Sequence, residues 1–218
     1  MNPAVPPLPP PQSKANLPGK FITLEGVDGA GKSSHVEAIA ALLRERGRRV
    51  RVTREPGGTR LAEQLRALVL AEPMDPVSET LLMFAARSDH LRRVILPALA
   101  EGAWVVCDRF TDATVAYQGG GKGVSAELIE RLRLAVHPDL EPDLTLVFDC
   151  PYDIARERLG GTGKAPDRFE REGREFFERV RTGYLELAAD QPGRIRIIDA
   201  TKTREIIKKT VEDTVLSL

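Results

Sequence analysis

The 218-residue chain carries 32 basic and 32 acidic side chains, so its formal charge is zero. A neutral total gives no general attraction to a nucleic-acid backbone or an anionic membrane surface. No apolar run reaches the roughly 20 residues of a membrane-spanning helix, and the length suits one substantial core in a single domain. Cys107 and Cys150 each end an apolar run and lack metal-binding or redox spacing, which fits a reducing cytoplasm.

Residues 2–19 hold seven prolines: Pro3, Pro6, Pro7, Pro9, Pro10, Pro11 and Pro18. Proline lacks the backbone donor that helices and sheets need, so residues 1–19 read as a disordered or polyproline II tail ahead of a domain spanning 20–218. Phe21, Ile22 and Leu24 then form a short apolar run leading into Gly26-Val27-Asp28-Gly29-Ala30-Gly31-Lys32-Ser33. Ser34 follows, and Val36, Ile39, Ala40 and Leu43 repeat at helical spacing. Strand, G-x-x-x-x-G-K-[ST] and helix in this order make a phosphate-binding P-loop. Its glycines let successive N–H groups converge on one anion, and the helix N-terminus adds to the attraction. Residues 26–34 are therefore expected to bind a nucleoside triphosphate, with Lys32 reaching outward to the β- and γ-phosphates and the Ser33 hydroxyl on Mg²⁺.

Further along, Arg49–Thr53 reads as a strand and TREPGGT as a loop. Leu61–Leu70 reads as a helix, as does Glu79–Ala100, capped by Asp75 or Ser78. Trp104–Cys107 is a buried strand ending in Asp108-Arg109, and residues 118–123 read as a glycine-rich loop. A helix over Ser125–Val136, a strand over Leu144–Phe148, two helices around a glycine-rich segment, a strand over Arg194–Ile198 and a last helix from Thr203 complete the pattern. Five short apolar strands alternating with helices predict an α/β three-layer sandwich of the P-loop NTPase type, a parallel sheet covered on both faces. Ligands bind such sheets outside the carboxyl ends of the strands. That rule brings Asp28, Lys32, Arg54, Glu55, Asp108, Arg109 and Asp149 to one edge, as two phosphorylated ligands require. Asp108 is the candidate second Mg²⁺ group and Arg109 a bidentate phosphate grip.

The chain has neither the N-K-x-D motif of a GTPase nor the apolar run ending in D-E of a motor ATPase. TREPGGT (53–59), LMFAAR (82–87), DRFTDATVAYQGGG (108–121), PDLTLVFD (142–149) and DRFE (167–170), in this order behind the P-loop, resemble the bacterial thymidylate kinases. The resemblance implies phosphorylation of dTMP to dTDP by ATP with Mg²⁺, in a homodimer with a mobile lid over about 155–170. By the same resemblance, Asp28 lies near the sugar and acceptor phosphate, and Arg54 and Arg109 hold that phosphate. Glu55 and Pro56 belong to the surrounding loop, and Arg87 donates to the thymine ring. The residue stacked on that ring falls at Phe84, three before Arg87, with Met83 the alternative four before it. Thr114, Tyr117 and Gln118 supply a polar group near the base, a side chain crowding the sugar 2′ position and a second base contact.

The P-loop carries no arginine, and the resemblance implies that in this class the charge for the transferring group comes from the lid. Arg156, Arg158, Lys164 and Arg168 are the candidates, Arg168 foremost because it lies in the best-matching stretch. A non-catalytic nucleotide-binding regulator would have lost Lys32, Asp108 or these cations, and all are present. The nearer rival is a kinase for another deoxynucleotide such as dUMP.

Overall fold

The computed structural model describes residues 17–161, 163 and 165–218, so residues 1–16 of the expected tail lie outside it. Within the remainder of that stretch, Leu17 packs on an apolar cluster and the Gly19 amide donates to the Leu99 carbonyl at 3.1 Å. The five strands form one parallel sheet in the order β2 (Val50–Arg54), β3 (Trp104–Asp108), β1 (Phe21–Glu25), β4 (Leu144–Asp149), β5 (Ile195–Asp199). Every residue of central β1 is buried, whereas the edge strands β2 and β5 expose several side chains. A strand covered on both faces is mostly apolar, which explains Phe21, Ile22 and Leu24, and its two buried polar residues, Thr23 and Glu25, are both hydrogen-bonded.

Successive side chains of a strand point to opposite faces. Ile22, Leu24 and Val106 therefore pack with Val36, Ile39 and Leu43 of α1 (Lys32–Glu45) and with Val211 of α9 (Arg204–Leu216). Phe21, Val105 and Cys107 turn the other way, onto Leu91, Ile95 and Leu99. These three lie in one long helical run: α3 (Pro76–His90), a π-type segment over Leu91–Ile95, and α4 (Leu96–Ala100). It begins three residues before the expected Glu79. Pro76 is suited to the first helical position, and the Asp75 carboxylate accepts from the amides of Val77 and Ser78. Thr59, Ser125 and Thr203 cap α2 (Arg60–Ala71), α6 (Ala126–Val136) and α9 in the same manner.

Residues 118–121 are helical, not the loop that their glycines predict: α5 (Thr111–Thr114) runs into a π-type segment over Val115–Gly121. These glycines serve close packing. A Cβ on Gly121 would fall 2.5 Å from the Phe176 ring, and one on Gly183 3.2 Å from the Ala116 Cα. Both contacts are with α8 (Arg174–Asp190), which crosses this segment.

Parallel strands put their carboxyl ends on one edge, and the register sets Leu24 and Arg54 beside Asp108. The segment after β3 is fixed from below by a buried polar seam. Thr23 bonds Thr145 at 2.8 Å, Thr145 donates to Asp112, and Arg194 grips the Asp112 carboxylate at 2.7 and 2.8 Å. Removing one partner of a buried pair leaves an uncompensated charge. Arg194→Ala is therefore expected to cost about 3–5 kcal/mol in a urea titration at unchanged m-value; a loss below about 1 kcal/mol would show that the pair behaves as a solvated one.

Candidate active site

The P-loop leaves β1 through Gly26 and turns into α1 after Gly31. Gly26 has φ 125°, and a Cβ there would lie 2.5 Å from the Phe148 carbonyl oxygen, so only glycine fits beside β4. Val27 and Ala30 face the core, leaving Asp28 on the open side. Ser33 and Ser34 are exposed at the start of α1, with the Ser34 hydroxyl donating to the Gly31 carbonyl at 2.9 Å. Lys32 does not extend outward as expected. Its ammonium is buried and donates to the carbonyls of Gly26 at 2.9 Å and Val27 at 2.8 Å. Burial, helped by the nearby charge of Arg109, lowers its pKa to about 8.

Arg109 connects β3 to this loop. Its φ of 71° is unusual for a residue with a side chain, and its guanidinium makes four contacts. It donates to the Gly26 carbonyl at 2.9 Å, Asp28 at 2.6 Å, the Tyr117 hydroxyl at 3.0 Å and the Tyr184 hydroxyl at 3.1 Å. Tyr117 also donates to Asp28 at 2.9 Å. Burial alone would raise the Asp28 pKa, but the charges of Arg109 and Lys32 override it and hold the carboxyl at about 2. Asp28 therefore remains an anion on the open side of this loop. Asp108, one residue before Arg109, has a buried Oδ1 with no hydrogen-bond partner among the described residues.

Beside Arg109 opens a cavity walled by Asp28, Glu55, Pro56, Arg87, Thr114, Tyr117 and Gln118, all residues singled out in the sequence, together with Arg66, Met83 and Phe169. Arg87 is held rigidly. Its Nε donates to Glu55 at 2.7 Å, and its Nη2 donates to the Phe110 carbonyl and the Thr114 hydroxyl, both at 3.1 Å. His90 grips the other Glu55 oxygen at 3.0 Å, so Glu55 is the anchor of Arg87. The remaining nitrogen, Nη1, is buried with no partner among the described residues.

Three expected positions are revised. Phe84 is absent from the cavity wall; its ring packs with Val124 and Ile129 and lies 4.7 Å below the Arg87 guanidinium. Met83, a full helical turn before Arg87, takes the wall position. Arg54 turns out of the cavity onto Glu63 at 2.9 Å, and Arg66, from the next helix, takes its place at the wall. Arg168 lines neither this cavity nor the smaller one beside the P-loop. Its guanidinium bonds the Val69 carbonyl and the buried carboxylate of Glu79.

The other lid cations divide. Arg156 lines the smaller cavity with Val27 and Asp28, next to the P-loop, and bonds the Glu170 carbonyl at 2.6 Å. Arg158 reaches the Ala200 carbonyl at 2.9 Å, after β5. Lys164 lies outside the described residues. Asp149, also expected at this edge, is held by a two-pronged bond from Arg181 at 2.6 and 2.9 Å.

Sequence reasoning missed Arg66, His90 and Glu25. Only Glu25 left a signal, a carboxylate ending a fully buried strand. It receives the Phe110 amide at 2.6 Å and pairs with the Tyr184 hydroxyl at 2.8 Å. Burial first, and then the charge of Asp112, raises its pKa from 4.5 to about 8. A carboxyl whose folded pKa is raised stabilises the fold fully below the unfolded value and loses that contribution as pH climbs through the folded one. The contribution of Glu25 is thus lost between about pH 4.5 and 8, against the opposite trend of His137, whose burial lowers its pKa from 6.5 to about 4; Glu25→Gln should remove the loss, read as the difference between variant and wild-type thermal melts across that range. An unchanged slope would place the titration on another group.

The family model for thymidylate kinase matches residues 24–211. The chain is 58% identical over 195 residues to a thymidylate kinase of Methylobacillus flagellatus, covering 89% of this chain and 96% of that protein. It is 55% identical over 200 residues to one from Bordetella pertussis, covering 92% and 96%. The crystal structure of a thymidylate kinase from Ehrlichia chaffeensis superposes with a TM-score of 0.73 at 34% identity, over 91% of this chain and 97% of that one. A glycine cradle leading into α1, an arginine locked to the Asp28 carboxylate and a neighbouring polar cavity thus occur in a chain that belongs to the thymidylate kinase family.

Proposed function

We propose that the chain transfers the γ-phosphoryl group of ATP to dTMP, yielding dTDP and ADP, and that the two cavities at the strand ends divide the substrates. The observation that carries this reading is the Arg87 Nη1 donor, buried and without a partner among the described residues, on an arginine that walls the larger cavity. A buried unpaired donor is costly unless a ligand acceptor meets it, and the O4 carbonyl of thymine is such an acceptor. Gln118 supplies the second base contact, Thr114 steadies Arg87, and Met83 provides an apolar surface beside the ring. Tyr117, held by Asp28 and Arg109, crowds the sugar 2′ position. Arg109 and Arg66 hold the acceptor phosphate, with Glu55 and Pro56 shaping its loop.

Residues 26–34 take the ATP phosphates. Lys32 exchanges its loop carbonyls for phosphate oxygens, and burial of its charge strengthens that pairing. The exposed Ser33 hydroxyl and the orphaned Asp108 oxygen suit Mg²⁺, which would neutralise the β- and γ-phosphate oxygens. An acceptor phosphate oxygen attacks the γ-phosphorus, the bond to the ADP oxygen breaks, and the nucleophile needs no general base because it is already an anion. Positioning and charge neutralisation are then the whole catalytic task. Arg156 is the lid cation best placed for the transferring group, with Arg158 further out on the ATP side.

The kinase domain is read as residues 20–218, with the lid near 155–170. Leu61 and Leu68 of α2, Val77 and Leu81 of α3, and Leu134 of α6 are each 44–49% exposed on neighbouring helices, a face that suits a homodimer. No described helix is long and apolar enough to cross a membrane. The two free, buried cysteines support a cytoplasmic enzyme, and a formal charge of zero gives no general attraction to a nucleic acid or an anionic membrane.

Lys32→Ala is expected to abolish turnover in a coupled ATP assay while leaving the thermal melt within a few degrees; unchanged kcat at normal ATP affinity would remove Lys32 from the reaction. Among acceptors, dTMP should exceed dUMP by about 10- to 200-fold in kcat/KM, the worth of one methyl in an apolar site, and equal values would overturn the assignment of the base. Arg156→Ala should lower kcat by about 10²-fold with a smaller change in the KM for ATP, as expected for a contact made in the transition state. A kcat within about threefold of wild type would move that charge to another residue.

A further inference from the structure

We propose that Glu79 is a positioning residue that joins reading of the base and docking of the lid into one event; this rests on the dTMP kinase reading above. Glu79 stands in the first turn of α3, and its side chain is wholly buried. Its two oxygens face different elements. Oε1 accepts from the Gln118 amide nitrogen at 2.8 Å, and Oε2 accepts from the Lys122 ammonium at 2.8 Å and from the Arg168 guanidinium of the lid.

The bond to Gln118 decides what the base meets. A carboxylate only accepts, so the amide must turn its NH₂ toward Glu79, leaving its carbonyl oxygen as the end offered to a ligand. With Arg87 donating and Gln118 accepting, the wall matches the O4 and N3–H of thymine. A flipped amide would offer a donor at N3, losing thymine's N3–H and matching cytosine at that one atom, while Arg87 still opposes the cytosine amino group. The bond to Arg168 decides where the lid rests. Asp167 and Phe169, on either side of Arg168, both wall the base cavity. Arg168 also bonds the Val69 carbonyl at 3.0 Å, and the Phe169 ring sits edge-on to Tyr117 at 5.9 Å and 4.6 Å from the Lys122 ammonium. One buried carboxylate therefore sets both the hydrogen-bonding sense of the pocket and the cover over it. In a low-dielectric site, holding either partner in place favours the other.

Two readouts separate positioning from simple stabilisation: the ratio of kcat/KM for dTMP over dCMP, and amide hydrogen exchange of residues 165–171 with and without dTMP. In the wild type, dTMP alone should slow that exchange. Glu79→Gln should abolish the slowing and lower the ratio by about tenfold. Glu79→Asp keeps the charge but shortens the reach, so it should move both readouts the same way if the neutral variant fails to fold. Arg168→Ala should abolish only the slowing and leave the ratio within about threefold of wild type. Folded Glu79 variants that retain both readouts would overturn the proposal, as would an Arg168→Ala lid that dTMP still protects. A wild type that does not prefer dTMP over dCMP would overturn the underlying reading of the base and this inference with it; a wild-type preference that the Glu79 variants retain overturns this inference alone.

Discussion

A largely buried carboxylate needs a charged partner, and the pairing of Asp28 with Arg109 is the constraint around which this edge of the sheet is arranged. The P-loop brings Asp28 to the cavity because Val27 and Ala30 are drawn into the core. Arg109 reaches it only by adopting a left-handed backbone, a conformation that costs of order 1–3 kcal/mol for a residue with a side chain. Contacts around it offset that strain: the Gly26 carbonyl and two tyrosine hydroxyls hold the guanidinium, and Glu25 holds the next amide. Adjacent strands β1 and β3 are thereby cross-linked at the wall that the two cavities share.

The arginines of the site are sorted by what surrounds them, not by their place in the motifs. Arg87 spends three of its contacts on Glu55, Phe110 and Thr114, which makes its remaining donor a fixed point in space. Arg66 and Arg109 converge on the same cavity from different elements. Arg156 lies beside the P-loop, whereas Arg54 and Arg168 are turned to carboxylates elsewhere. Preorganisation of this kind is how a site gains electrostatic strength without reorganising during reaction. The cost falls on the supporting shell, where Glu55, Glu79, His90 and Glu25 are all buried and all bonded.

Much of the fold was legible because each signal was local. Buried strands need continuous apolar runs, helices need a repeat near 3.6, and a P-loop needs glycines at fixed spacing. The order of these elements predicted the parallel sheet, and the rule for strand ends predicted which loops meet. The glycines of 118–121 misled because glycine serves two needs. In a turn it permits unusual dihedrals, and in this helix it admits α8 to close contact with the backbone. No local pattern distinguishes the two uses.

The sequence by itself determined the family and the glycine loop ahead of α1, and it named Glu55, Arg87, Thr114, Tyr117 and Gln118, which line one cavity. Only the tertiary structure decided which of several like residues face the ligands. Met83 and Phe84 are neighbours on one helix, and their roles separate only because α6 covers one of them. Arg54 and Arg66 compete for one wall, and a carboxylate on α2 removes the first. Arg168 lies in a motif that pointed to phosphate, yet the buried carboxylate of Glu79, 89 residues away in the chain, draws it out of both cavity walls. Side-chain charge is written in the sequence; the partner that satisfies it is a property of the packed fold.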